Sequence, residues 1–229
     1  MPVKTTHVGS LPRTPELLAA NTQLAAGQIT EQQFQEILER ATAEVVTKQR
    51  EIGIDIVNEG EYGHQTSGAV DYGAWWNYSF SRLGGLTQTN EDRWADSSVI
   101  RSEPGKIRLT TFTDRRDRNL FREAYEDPDS GVLGKRNSVG NPVITAPLTY
   151  TGAEAARRDV NLLLKGLQAN GVDASSGFMA ALSPGSCARI KNQYYRSDEE
   201  VVWACADAMR QEYKIITDAG LTVQIDDPS

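Results

Sequence analysis

Cysteine and histidine are scarce in this chain, with two of each among 229 residues. Cys187 and Cys205 show no C-x-x-C spacing and no density that would indicate a disulfide framework, which fits a reducing compartment. Positive charge is also short. Lys and Arg number 24 against 31 Asp and Glu, a formal charge of −7, whereas a partner with a phosphate backbone calls for a clustered basic face. No nucleic-acid partner is expected. Apolar runs stay well below membrane-spanning length, and the first residues lack the basic-then-apolar pattern of a signal peptide. A cytoplasmic protein without a membrane partner is the expectation, and small neutral or anionic substrates remain open.

What the sequence does contain is an alternation of strand and helix signals, and its length suits a single domain with one sizeable core. Lys4 to Val8 is predicted as a strand that breaks at Gly9-Ser10 and leaves through Pro12. Gly9 lets the backbone approach a ligand closely, and Ser10 offers an N–H and a hydroxyl, so the pair forms a lip for a small anion. The same residues also suit an ordinary strand-to-helix turn. Thr14 to Ala26 carries a short helical pattern that stops at Gly27. Thr30 with Gln33 forms a capping box ahead of a helix marked by Phe34, Ile37, Leu38, Ala41 and Val45. Ile54 to Glu61 is then predicted as a β-branched strand turning acidic at its end, which completes a βαβ unit.

From 62 to 140 the alternation disappears over a stretch too long for an ordinary connection. We read it as an insertion with structure of its own, containing an aromatic-rich segment from Gly68 to Tyr78, a strand from Ile107 to Phe112 and a helix from Asp117 to Tyr125. It is expected either to lie over the site or to serve as a flap or oligomer contact. The alternation resumes with a strand at Pro142 to Pro147, a helix at Ala153 to Ala169 and a strand at Phe178 to Leu182. A second capping box, Ser197 with Glu200, opens a helix that runs to Gly220, and a last strand ends Gln224-Ile225-Asp226-Asp227. Five strand signals describe a parallel sheet. The fold class expected is α/β, a (β/α)8 TIM barrel cut after about its fifth strand, because a closed barrel takes roughly 250 residues before any insertion.

In a barrel the C-terminal ends of the strands converge on one face, and here they carry Ser10, Glu61, Ser183 and Asp226. Carboxylates facing a Gly-Ser lip suit a small ligand with an ammonium group and an anionic end. Glu59 shares a strand face with Glu61, but with Asp227 it is expected to be a solvated loop residue or an arginine partner. His7 beside the lip is either a ligand-binding group or part of a packed layer, and His64 is expected to be exposed. Cys205 reads as core, while Cys187 follows a turn that brings it toward the strand ends. Arg115, Arg116 and Arg118 read as a solvated face.

Three ordered segments, T-T-H-V-G-S-L-P-R at Thr5 to Arg13, V-N-E-G-E-Y-G at Val57 to Gly63 and V-Q-I-D-D-P at Val223 to Pro228, resemble the catalytic half of the cobalamin-independent methionine synthases. The segments S-G-A-V-D-Y-G-A-W-W-N-Y-S-F and A-A-L-S-P-G-S more closely resemble the branch that includes epoxyalkane:coenzyme M transferase. The resemblance implies a barrel enzyme in which zinc binds a thiol, homocysteine or coenzyme M, as the thiolate that attacks a carbon of an alkyl donor. It implies that Val8, Gly9 and Ser10 hold a substrate carboxylate, and that Glu61 and Asp226 bind the other end, including the ammonium group. Glu61 and Asp226 are thus the expected catalytic pair, with His7, Val8, Gly9, Ser10 and Ser183 completing the substrate-binding set. The family's zinc ligands begin with a His-x-Cys pair expected beyond Ser229, so the chain alone is expected not to turn over. Ala153 stands where the synthases place a Trp against the folate, which favours another electrophile such as an epoxide with a coenzyme M type thiol, whereas Glu61 and Asp226 suit an amino-acid thiol, so the acceptor stays open. Two other readings stay open. A metal-free lyase resembling uroporphyrinogen decarboxylase needs an arginine-lined pocket, and the lip offers only Arg13; the other is a non-catalytic ligand-binding barrel.

Overall fold

A computed structural model describes residues 3–64, 74–89, 102–109, 116–127 and 141–227. The chain forms two compact units, one made of Met1–Tyr78, Gly152–Ala181 and Gln211–Asp226, the other of Ser79–Thr151, Leu182–Arg210 and Asp227–Ser229.

The first unit contains α1 (Pro15–Ala25) and α2 (Glu31–Glu51). Thr14 caps α1 by accepting from the Leu17 amide, and a proline opens the helix where its missing N–H is harmless. Thr30 and Gln33 close both halves of the predicted capping box on α2. Removing the hydroxyl with Thr30→Ala is expected to cost about 1 kcal/mol of stability, measured by denaturant unfolding, because an orphan amide is exposed at the start of a long helix. Helix α3 (Ala74–Ser81) opens the next described run, 74–89.

The second unit pairs β1 (Leu83–Thr89) antiparallel with β2 (Asn141–Tyr150). Short helices α4 (Arg116–Leu120) and α5 (Arg122–Glu126) lie between them in sequence, in place of the single predicted helix. Residues 107–109 are not a strand, and the rest of the strand predicted there, like most of the aromatic segment, lies outside the described residues. Helix α6 (Ala153–Ala169), β3 (Phe178–Leu182), α7 (Pro184–Cys187), β4 (Lys191–Asn192), α8 (Asp198–Asp218) and β5 (Thr222–Asp226) complete the chain. β4 pairs in parallel with β2. The Glu200 amide donates to Ser197 Oγ, and the Glu200 carboxylate accepts from the Arg196 amide. That carboxylate reaches one residue further back than a strict capping box.

Two parts of the first unit's core are formed by described residues. One gathers Val46, Val57, Val160, Leu163, Leu167, Met179, Ile216 and Leu221; the other packs α1 on α2 through Leu17, Phe34, Leu38 and Tyr62. Gly166 lets α6 approach α2, since a β-carbon there would stand 3.0 Å from a Val46 methyl.

Two predicted strands are absent, and the reason is chemical. Lys4 to Val8 has no strand ladder: the Thr5 amide donates to the Asp55 carboxylate at 2.7 Å, the Thr6 hydroxyl donates to the Ile56 carbonyl, and the Thr5 carbonyl takes both the Asp55 and Ile56 amides. Side chains replace the regular backbone pairing. The Ile54 to Glu61 segment keeps only one parallel bridge, Val57 to Gly177. It then turns at Gly60 (φ +71°) and Glu61 (φ +57°), which no strand accommodates. The expected all-parallel sheet also fails in the second unit, where β1 runs antiparallel to β2.

Candidate active site

The lip, Glu61 and Asp226 come together within the first unit. Gly9 has φ +137°, and a β-carbon on it would lie 2.5 Å from Glu61 Oε1, so glycine is required for the carboxylate to rest against the lip. Glu61 itself is the one non-glycine residue with positive φ among the described residues. Such strain persists only where the surroundings fix it. Here the Arg13 guanidinium donates to the Glu61 carbonyl at 2.6 Å and to Ser10 Oγ at 2.7 Å. Arg13 is buried and lies over the Tyr62 ring, whose hydroxyl donates to the Pro12 carbonyl.

Electrostatics distinguish the carboxyl groups. Burial would raise Glu61, yet the opposing influence of His64, Arg13 and the Ser10 hydroxyl holds it below the usual carboxylate range. Asp226 is pushed up by burial and by the neighbouring Glu61 charge, against a hydrogen bond from Gln224. Gln224 also donates to the Val8 carbonyl, tying β5 to the lip. A favoured anion and a reluctant one therefore stand side by side, an arrangement that a cation would relieve.

Behind the lip lies a polar network that sequence reasoning missed. His7 Nε2 faces Gln49 Oε1 at 2.7 Å and its Nδ1 accepts from the Gly9 amide, so Nε2 carries the proton in this arrangement. Gln49 is pinned to both backbone groups of Asn58. The Asn58 amide donates to the Gly9 carbonyl, and its oxygen accepts from the Gly60 amide. Gln49 lies on the buried face of α2, and a glutamine interrupting an apolar stripe was the available signal. His7 also meets the edge of Phe178 at 5.5 Å.

Two expectations are corrected, those for Glu59 and His64. Glu59 is not a solvated loop residue but 3% exposed, and burial together with Glu61 and Asp159 pushes it up to about 8. His64 is buried rather than exposed: it stacks on Tyr78 at 4.2 Å, and its Nδ1 lies 3.7 Å from Glu61 Oε2. Tyr78 in turn donates to buried Glu212. Ser183 belongs to the second unit, where it caps α7 by accepting from the Ser186 amide. Asp227 is exposed, as expected, and accepts from the Ser186 hydroxyl. Cys205 and Cys187 are both fully buried. Val8 and Ser10 are exposed, Val8 by 82%. Of the arginine cluster, Arg116 is exposed, while Arg115 and the Arg118 side chain lie outside the description. Among the described residues no group of three or more His, Cys, Asp or Glu is placed to hold a metal ion. The zinc implied by the resemblance therefore finds no fitting ligand set in them.

Residues 3–123 match the family model described as "Cobalamin-independent synthase, Catalytic domain". Among curated relatives, YxjH of Bacillus subtilis (strain 168) is 35% identical over 79 residues, covering 34% of this chain and 19% of its own. A 5-methyltetrahydropteroyltriglutamate–homocysteine methyltransferase of Bacillus cytotoxicus is 31% identical over 156 residues, covering 68% of this chain and 18% of its own. Two solved structures share the fold at 17% identity. They are a B12-independent methionine synthase from Shewanella sp. W3-18-1 in complex with selenomethionine (TM-score 0.56) and a vitamin-B12-independent methionine synthase from Listeria monocytogenes described as putative (TM-score 0.57). The chain spans 51% and 52% of those structures, and 98% and 99% of it is covered by them. With more than half its residues matched by the family model, this chain belongs to the catalytic-domain family of the cobalamin-independent synthases.

Proposed function

We propose that this chain carries the substrate-holding part of a thiol S-alkyltransferase, and that its ligand is an amino-acid thiol of the homocysteine type. The observation that carries this reading is the pairing of Glu61 with Asp226 beside the Gly9-Ser10 lip. An α-ammonium group placed between the two carboxylates would relieve their mutual repulsion, and a carboxylate would meet the backbone amide of Ser10 at the lip. The thiol is thereby held by its amino-acid end, leaving sulfur free for attack on an alkyl carbon. Hydrogen bonds among His7, Gln49 and Asn58 behind the lip fix its backbone before ligand arrives, so little ordering remains to be done on binding.

Coenzyme M is the alternative thiol. Its sulfonate would suit the lip, but it brings no ammonium group to two carboxylates, and homocysteine is therefore favoured. For the alkyl donor, Ala153 at the first position of α6 supports an epoxide, while the names of curated relatives support a methylfolate.

Calorimetric titration of the purified chain with L-homocysteine and with coenzyme M tests the thiol. Homocysteine should bind the more tightly, and Glu61→Gln and Asp226→Asn should each weaken it by about tenfold, the loss of one charge-assisted contact. Equal or tighter binding of coenzyme M, or variants that bind as the parent does, would overturn the assignment.

A further inference from the structure

His7 stands behind the lip, and its neighbours admit one tautomer. Gln49 on α2 donates through its side-chain nitrogen to the Val45 carbonyl at 3.1 Å and to the Asn58 carbonyl at 2.8 Å, and because carbonyls only accept, the orientation of its amide is settled. Gln49 Oε1 therefore accepts, from the Asn58 backbone amide at 3.1 Å and from His7 Nε2 at 2.7 Å. The His7 proton is on Nε2. Nδ1 is left bare, and the Gly9 amide, which can only donate, does so to it at 3.2 Å. A side chain that accepts from the amide two residues ahead makes an Asx turn, built here from an imidazole instead of an asparagine. The Gly9 carbonyl is taken as well, by the Asn58 side-chain nitrogen at 3.1 Å, while Asn58 Oδ1 accepts from the Gly60 amide. Both polar backbone groups of Gly9 are thus committed to the protein. Ser10 differs: it is exposed, its hydroxyl oxygen accepts from Arg13, and its backbone amide makes no hydrogen bond among the described residues.

We propose that His7 is the positioning residue of the lip: its bare Nδ1, imposed by Gln49 on the far side of the ring, holds the Gly9 amide inward and leaves the Ser10 amide as the donor that an anionic ligand group meets. His7 does not touch the ligand. Its effect is read through the backbone of Gly9 and Ser10, and the identity of the anion, a carboxylate, rests on the ligand reading above. The edge of Phe178 on β3, 5.5 Å from the imidazole, packs beside the ring without offering it a polar partner. Gln49 sets the tautomer and His7 passes that choice to the lip.

Two substitutions separate the two ring nitrogens. His7→Asn places an oxygen acceptor where Nδ1 stands and gives up the bond to Gln49, whereas His7→Gln reaches Gln49 and gives up the acceptor at the lip. Amide hydrogen exchange of the chain, read by NMR, decides between them. The Gly9 amide should be protected in the parent and in His7→Asn, and should exchange about tenfold faster or more in His7→Gln. In the parent alone, long-range proton–nitrogen spectra of the imidazole should show the proton on Nε2. A proton on Nδ1, or equal Gly9 protection in all three proteins, overturns the proposal. Calorimetric titration with L-homocysteine is the second readout: His7→Asn should stay within about threefold of the parent and His7→Gln should bind about tenfold more weakly. Each variant gives up one bond of His7, so a purely structural residue would weaken both alike. If the parent binds homocysteine and the two variants bind equally well, the positioning role falls and the ligand assignment stands. If the parent does not bind it, the ligand assignment falls and the spectra and exchange rates alone decide the role of His7.

Discussion

Glu59→Gln is expected to leave stability unchanged in acid and to raise it by about 3–5 kcal/mol at roughly pH 8.5, measured by urea unfolding across the pH range. The sign follows from proton counting. Below its unfolded value of 4.5, Glu59 is protonated in both states and contributes no difference. Between 4.5 and about 8 the unfolded chain releases the proton while the folded chain keeps it, so stability falls as pH rises. Above the folded value the decline stops. Glutamine cannot ionise, so the variant lacks this slope, while the raised Asp226 contributes equally to both proteins and cancels. A slope that survives the substitution would place the titrating group elsewhere.

Gly9→Ala should lose about 3 kcal/mol of stability and abolish ligand binding in the same calorimetric titration. Two terms add. The φ of +137° is one that an L side chain rarely adopts, and the new methyl would stand 2.5 Å from Glu61 Oε1. Glu61 has little room to retreat, because its side chain is 15% exposed and its backbone is held by Arg13. Gly27→Ala separates the two terms, since Gly27 also has positive φ (+67°) but nothing within 4 Å of the added carbon. It should lose only about 1 kcal/mol and leave binding intact. If Gly9→Ala costs no more than Gly27→Ala, the contact between lip and carboxylate is not what requires glycine there.

The elements most legible in the sequence were those written in local code. The Thr30–Gln33 box, Thr14 before Pro15, and the apolar stripe of α6 act within a few residues, and each appears in place. The meeting of Ser10, Glu61 and Asp226 was legible through the strand-end pattern, although two of the three residues do not sit on strands. What could not be read was non-local or contrary to composition. β1, with the sequence L-G-G-L-T-Q-T, carries two glycines and weak strand propensity, and exists because β2 pairs with it after a shift at Gly84 to Leu86. Glu59 reads as surface in any composition argument. Only the turn at Gly60 and Glu61 carries it inward, and the residues that hold that turn, Arg13 and Asn58, lie outside the acidic motif or at its margin. His64 was misplaced for a related reason, since its burial depends on the distant Tyr78 ring.

The strap from Lys4 to Val8 is fastened by one aspartate, two threonine hydroxyls and a single shared carbonyl. Asp55 is exposed and held below the usual carboxylate range by its bonds to Thr5. A rim anchored in this way can change its grip by exchanging a few solvent-facing residues, without disturbing the paired strands or the packed interior.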